Sequence, residues 1–193
     1  MKILLIDHED SFVHNIAQAL SAEGARVSCL RSTVSLREAL RVDPEAVVLS
    51  PGPGHPSDRR LTGLSRSLLR RWDRERPFLG VCLGHQLIAE QYGAQVVRAP
   101  EPVHGDVARV THDGKGLFAG VPSPTWVARY HSLVVRPESV PSSLEVSARG
   151  SRGLVMALRH RDRPVNSVQF HPESYLTPSG PRLLRNFLRE ARR

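Results

Sequence analysis

Cys82 stands between two glycines, in Gly80-Val81-Cys82-Leu83-Gly84, at the joint of a short apolar run (Phe78, Leu79, Val81) and a helical pattern from Leu83 to Tyr92. That is the arrangement of a strand-to-helix elbow with a thiol as nucleophile. A sharp turn crowds the backbone, so positions on either side of it favour residues without a Cβ. The first turn of a helix also presents unpaired N–H groups, which favour an anionic sulfur. A cysteine nucleophile needs a base to take its proton and a partner to orient that base. The run Gln169-Phe170-His171-Pro172-Glu173 offers both. At the two-residue period of an extended chain, His171 and Glu173 point the same way, with Pro172 stiffening the step. His8, His14, His55, His85, His104, His112, His131 and His160 are the competitors. Among the nine histidines only His171 combines a strand end, a carboxylate at that spacing and a proline.

Acyl transfer through such a thiol also needs two backbone N–H donors for the developing oxyanion. Leu83, directly after the nucleophile, is one. The second is expected from Pro51-Gly52-Pro53-Gly54, at the end of another apolar run. Pro53 has no N–H, so Gly52 or Gly54 must supply it, and Gly52 is favoured.

The elements that must position these groups follow from periodicity. In the first half, Ile3–Ile6, Arg26–Leu30 and Ala46–Leu49 read as strands before the one that ends at Cys82. Between them, a helix opens after an Asp10-Ser11 cap, with Phe12, Ile16, Ala19 and Leu20 inward. Helices are also expected over Ser35–Val42 and Leu61–Trp72. Short connections between alternating strands and helices predict an α/β fold with a largely parallel, doubly wound sheet flanked by helices. Ligands in such sheets bind off the carboxyl ends of the strands, where Cys82 and the Pro51–Gly54 loop would be neighbours. The second half reads as short antiparallel or mixed strands extending that sheet, at Val107–Val110, Thr125–Tyr130, Leu144–Ala148, Leu154–Arg159 and Val165–Phe170. A final amphipathic helix covers Pro181–Arg193. No repeat or linker divides the chain, so one domain spanning residues 1–193 is expected.

Composition excludes other classes of function. The 193 residues are 40% hydrophobic, an ordinary globular balance. No apolar run approaches the length of a membrane span, and the N-terminus shows no export signal. Cys29 and Cys82 suit free thiols in a reducing cytoplasm. The net charge of +8 invites a nucleic-acid reading. Against it, the arginines are dispersed, and aromatics, at 5%, are not interleaved with them as a stacking platform requires.

Four ordered phrases carry a resemblance. Leu49–Gly54 (Leu-Ser-Pro-Gly-Pro-Gly), Gly80–Gln86 (Gly-Val-Cys-Leu-Gly-His-Gln), Arg129–Leu133 (Arg-Tyr-His-Ser-Leu) and Val168–Ser174 (Val-Gln-Phe-His-Pro-Glu-Ser) resemble the class I, or triad, glutamine amidotransferases. More narrowly they are similar to the small glutaminase subunits of anthranilate synthase and aminodeoxychorismate synthase, essentially end to end. The resemblance implies a Cys82–His171–Glu173 triad and a site for L-glutamine from Gly52, Pro53, Gly54, Gln86, Ser132 and Leu133. Gln86, one helical turn beyond Cys82, would face the substrate, and main-chain groups of Ser132 and Leu133 would hold its α-amino and α-carboxylate groups. It implies no metal and no organic cofactor. The implied partner is a larger chorismate-binding synthase subunit that consumes the ammonia. The chain departs from the family at Asp7-His8-Glu9-Asp10-Ser11-Phe12, where Asp-Asn-Tyr-Asp-Ser-Phe is usual, and at His104-Gly105-Asp106, where His-Gly-Lys is usual. Those departures leave a second expectation open, a catalytically weak or inactive partner-regulating subunit of the same fold. A cysteine peptidase would rest on the elbow alone.

Overall fold

The computed structural model describes residues 1–103 and 105–192. His104, one of the competing histidines, and Arg193 lie outside the described residues. The first half alternates as expected, with β1 (Lys2–Asp7), α1 (Val13–Ala22), β2 (Arg26–Arg31), α2 (Leu36–Leu40), β3 (Ala46–Leu49), α3 (Arg59–Trp72), β4 (Phe78–Val81) and α4 (Leu83–Gln91). The second half holds β5 (Val96–Arg98), β6 (Asp106–His112), β7 (Thr125–Arg129), β8 (Leu133–Val135), β9 (Leu144–Arg149), β10 (Val155–His160), β11 (Val165–Val168) and α5 (Gly180–Glu190).

Among the described residues, nine strands form one sheet in the order β2-β1-β3-β4-β11-β10-β9-β6-β7. The pairings from β2 through β11 are parallel and the rest antiparallel. The inner parallel strands β1, β3 and β4 are apolar because helices cover both faces, whereas the edge strand β2 is largely exposed. Successive residues point to opposite sides. Thus Ile3 and Leu5 of β1 join a core with Val13, Ile16 and Leu20 of α1 and Leu183, Leu184 and Phe187 of α5. Leu4 and Ile6 join a second core with Leu64, Leu68 and Trp72 of α3 and Leu87 and Ile88 of α4. Each fully buried side chain of this kind contributes about 1.5–3 kcal/mol relative to exposure.

Register decides where the chemistry falls. Ile6 pairs with Leu49, Leu49 with Gly80, and Gly80 with Ser167. These four residues make one row across the sheet. Just beyond it emerge His8, the Ser50–Gly54 loop, Cys82 and Gln169, all at carboxyl ends of parallel strands.

Several expected boundaries move, each for a local reason. The Asp10-Ser11 cap does not form in the usual way. Phe12 occupies the cap position, and the Asp10 carboxylate accepts the Phe12 N–H at 2.8 Å, so α1 starts at Val13. Ser35 caps α2 by accepting the Glu38 N–H, but the helix ends at Leu40, short of Val42. Asp58 accepts the Arg60 N–H and starts α3 two residues before Leu61. β10 runs from Val155 to His160, one residue later than expected at each end. α5 spans Gly180–Glu190, not Pro181–Arg193. β11 stops at Val168, so Gln169 and Phe170 leave the ladder that Val165–Phe170 was expected to make. Nothing in the sequence marks β5, which pairs antiparallel with β8 as a separate two-stranded sheet. Among the described residues no helix is long and apolar enough to cross a membrane.

Candidate active site

Cys82 occupies the elbow between β4 and α4 with φ 53° and ψ −101°. A non-glycine residue with positive φ is strained, and such strain concentrates where the surroundings over-determine it. Here the surroundings are backbone. The Cys82 N–H donates to the Val168 carbonyl at 2.9 Å. A Cβ on Gly80 would lie 2.5 Å from the Gly84 carbonyl oxygen, and one on Gly84 would collide with the Leu49 carbonyl. Both glycines are therefore required by close approach, not by positive φ. The thiol is only 7% exposed.

His171 lies beside it, 2% exposed. Its Nδ1 meets Glu173 Oε1 at 2.6 Å, and its Nε2 is buried without a hydrogen bond of ordinary geometry. Burial disfavours the imidazolium, but interaction with Cys82 and the hydrogen bond and charge of Glu173 outweigh it, raising the pKa to about 10. Glu173 reaches the ring by a route the extended-chain argument did not foresee. After β11 the chain turns, with the Ser174 N–H returning to the His171 carbonyl at 3.3 Å. The turn, not a two-residue strand period, brings the carboxylate under the ring.

Two residues unmarked in the sequence, Thr177 and Gly180, hold this turn. The Thr177 hydroxyl donates to the His171 carbonyl at 2.7 Å and accepts the Ala128 N–H at 2.9 Å. His171 N–H in turn donates to the Ala128 carbonyl at 3.1 Å, an isolated bridge to β7. Gly180, opening α5, packs so tightly on the Pro172 carbonyl that a Cβ there would overlap it. Phe12 and Tyr130 hold the imidazole edge-on, at centroid distances of 5.6 and 5.1 Å. Neither Thr177 nor Gly180 carries a sequence signal separable from turn chemistry.

A cavity of about 190 Å³ opens over the sulfur. Gly52, Pro53, Gly54, Gln86, Ser132 and Leu133, the six residues anticipated for a ligand, all line it, with Leu83, Tyr130 and His131. A larger hollow of about 550 Å³, lined by Arg59, Arg66, Glu90 and Val96 among others, does not include the nucleophile and has no bearing on its chemistry. Gly52 and Leu83 are in contact, since a Cβ on Gly52 would fall 2.7 Å from Leu83 Cδ2 and 2.6 Å from His8 Cβ. His8 thus buttresses the loop. Its ring bridges β3 and α3 through Ser50, at 3.1 Å to the carbonyl, and Ser65, at 2.9 Å. Burial lowers the His8 pKa to about 4, against the Ser50 hydrogen bond and the charge of Asp7.

The far wall is set by the β5–β8 ladder. Ala99 N–H donates to the Ser132 carbonyl and Arg136 N–H to the Gln95 carbonyl, each at 2.8 Å. Hydrogen-bonded pairs alternate in an antiparallel ladder. Leu133, opposite Arg98, therefore occupies a non-hydrogen-bonded position and turns both its polar groups away from β5. Its carbonyl accepts from Gln86 Nε2 at 3.1 Å and pairs with His131 Nδ1 at 3.1 Å. A guanidinium can only donate. Since Arg129 Nε donates to His131 Nε2 at 3.2 Å, Nδ1 must carry the proton given to Leu133. Burial, assisted by the charges of Arg129 and His171, keeps His131 neutral with a pKa near 4. With both lone pairs of the Leu133 carbonyl engaged, its N–H is the group left for a ligand. The Ser132 carbonyl is also taken, which narrows the main-chain contacts expected of this pair to donors.

A buried thiol and an imidazole held by a carboxylate, beside a small polar cavity, suit acyl transfer. The chain matches the family model of the class I glutamine amidotransferases over residues 4–191. It is 47% identical to anthranilate synthase component 2 of Methanothermobacter thermautotrophicus over 97% of this chain and 98% of that one. It is 43% identical to aminodeoxychorismate synthase component 2 of Klebsiella aerogenes over 96% of this chain and 98% of the other. It is 41% identical to the Bacillus subtilis aminodeoxychorismate/anthranilate synthase component 2, covering 99% and 97%. A Thermoplasma acidophilum protein, solved as a candidate subunit of GMP synthase, superposes with a TM-score of 0.90 at 26% identity, over 100% of this chain and 94% of that one. The chain belongs to the class I glutamine amidotransferase family.

Proposed function

We propose that this one-domain chain is a glutaminase subunit that hydrolyses L-glutamine and hands the ammonia to a chorismate-using synthase subunit. The observation that carries this reading is the buried line Cys82, His171, Glu173, of which Cys82 lines the 190 Å³ cavity. The Cys82 thiolate attacks the side-chain amide carbon of glutamine. The oxyanion that forms is held by the N–H groups of Gly52 and Leu83. His171 Nε2 gives its proton to the departing nitrogen, so ammonia leaves and a thioester remains. His171 then removes a proton from water, the hydroxide adds to the thioester, and collapse of the second oxyanion expels the thiolate and releases glutamate. The Leu133 N–H receives the substrate's α-carboxylate. No step needs a metal or an organic cofactor.

Relatives named for anthranilate synthase and for aminodeoxychorismate synthase are about equally similar. Their names support a larger synthase partner of the chorismate-using kind. Purified chain, alone and with the synthase subunit that co-purifies from the source cell, should release glutamate from glutamine. Cys82→Ser should release none, and a glutamine analogue bearing an alkylating group should label Cys82. Full turnover in Cys82→Ser would refute the assignment.

A further inference from the structure

The hydrogen bonds behind the sulfur have a direction, and one backbone atom sets it. The Leu133 carbonyl can only accept. Gln86 must therefore turn its amide nitrogen toward Leu133, at 3.1 Å. The second proton on that nitrogen goes to Gln169 Oε1, at 3.2 Å. With its oxygen committed, Gln169 can only present its own nitrogen on the other side, where it stands 3.7 Å from Cys82 Sγ. Gln169 is fully buried and tethered by its main chain, whose N–H donates to the Met156 carbonyl at 2.9 Å.

We propose that Gln169 is a further catalytic residue, a fixed N–H donor to the Cys82 sulfur that is aimed from Leu133 through Gln86. The inference rests on Cys82 being the nucleophile of the proposed reaction. A donor to sulfur favours the anion over the thiol. In a buried site that preference is stronger than in water. It also differs in kind from what His171 supplies. His171 gives up its proton to the leaving nitrogen and takes another from water, so its charge changes during turnover. A carboxamide does not titrate, and its donation persists in both half-reactions. Gln86 thereby acquires a role distinct from binding substrate: it transmits the orientation of Leu133 to the nucleophile.

The bland alternative is two core amides that satisfy each other. It is separated by the pH dependence of alkylation. Full-length Cys29→Ser protein, lacking the exposed thiol on β2, is treated with iodoacetamide from pH ~5 to ~10 and labelling of Cys82 is followed by mass spectrometry. Gln169→Leu removes donor and acceptor. Gln169→Met keeps the length and neutrality of the side chain but removes the donor. The titratable groups of the surrounding elements are His171 and Glu173 after β11, Tyr130 and His131 before β8, His85 on α4 and His8 after β1. They are common to all three proteins. Both variants should move the reactivity profile about one pH unit to the alkaline side. If Gln169→Leu does not fold, Gln169→Met decides. A profile that overlays the parent's overturns the proposal. So does a shift to the acid side, the result expected if the substitution merely loosens packing and lets water solvate the anion. The assay uses no glutamine: a chain that shows the shift but hydrolyses no glutamine loses the proposed function and keeps the donor.

Discussion

The hydroxyl of Thr177 donates to the carbonyl of His171 at 2.7 Å, so the base is held by its main chain as well as by its ring. The same oxygen accepts the Ala128 N–H and ties the turn to β7. Thr177→Val keeps the volume but leaves a buried N–H and a buried carbonyl each short of a partner. Chemical denaturation should show a loss of about 1–3 kcal/mol. Glutamine hydrolysis should fall in kcat more than it rises in KM, because the displaced ring serves the transition state and not substrate binding.

Glu173→Gln tests the ring itself. His171 is raised above the ordinary histidine value to about 10, with burial opposing and Cys82 and Glu173 prevailing. The imidazolium is therefore present below that value and lost as pH rises through it. Removing the carboxylate charge should draw the alkaline limb of the activity profile toward neutral pH and lower kcat by ~100-fold or more. A rate profile unchanged on the alkaline side would show that Glu173 does not govern the ring.

His8 gives a pH effect of the opposite sign. Its folded pKa of about 4 lies below the ordinary value, burial being the first cause. The unfolded chain therefore binds the proton more readily. The stability held at neutral pH is lost as pH falls from about 6.5 toward 4, by about 2 kcal/mol at pH ~5. His85, lowered to about 3 by burial and by His131, adds in the same direction. His8→Asn should flatten the dependence of the urea midpoint on pH in that window. Because His8 also backs Gly52, the variant should show an altered rate at pH 7 if its amide does not reach Ser65.

Gly84→Ala tests the elbow. The added methyl would meet the Leu49 carbonyl, and backbone cannot rotate aside. Thermal melting should report a loss of about 1–3 kcal/mol. Cys82 alkylation should slow in the protein that still folds.

Much of this was legible before any coordinates. Gly80, Cys82 and Gly84 mark an elbow because only a turn that crowds its own backbone calls for glycine on both sides. The apolar runs of β1, β3 and β4 announce a sheet covered on both faces. Residue types at those strand ends mark the candidate nucleophile, its candidate base and the loop from which a donor is expected. Less legible were the pieces whose signal lies in a partner far along the chain. β5 and β8 have three residues each, too few for a period to show. Thr177 and Gly180 look like ordinary turn residues until the carbonyls of His171 and Pro172 are seen beneath them.

Residue type and spacing alone determined which atoms could react, since the chemistry of a thiol, an imidazole and a carboxylate is intrinsic to them. The tertiary structure alone decided how those atoms are aimed. It turned His171 onto Glu173 through a tight turn instead of a strand, and engaged both lone pairs of the Leu133 carbonyl. It also ran the amides of Gln86 and Gln169 in one direction to the sulfur. Hydrogen-bond direction depends on which donors and acceptors meet across the sheet, and no local pattern encodes that meeting.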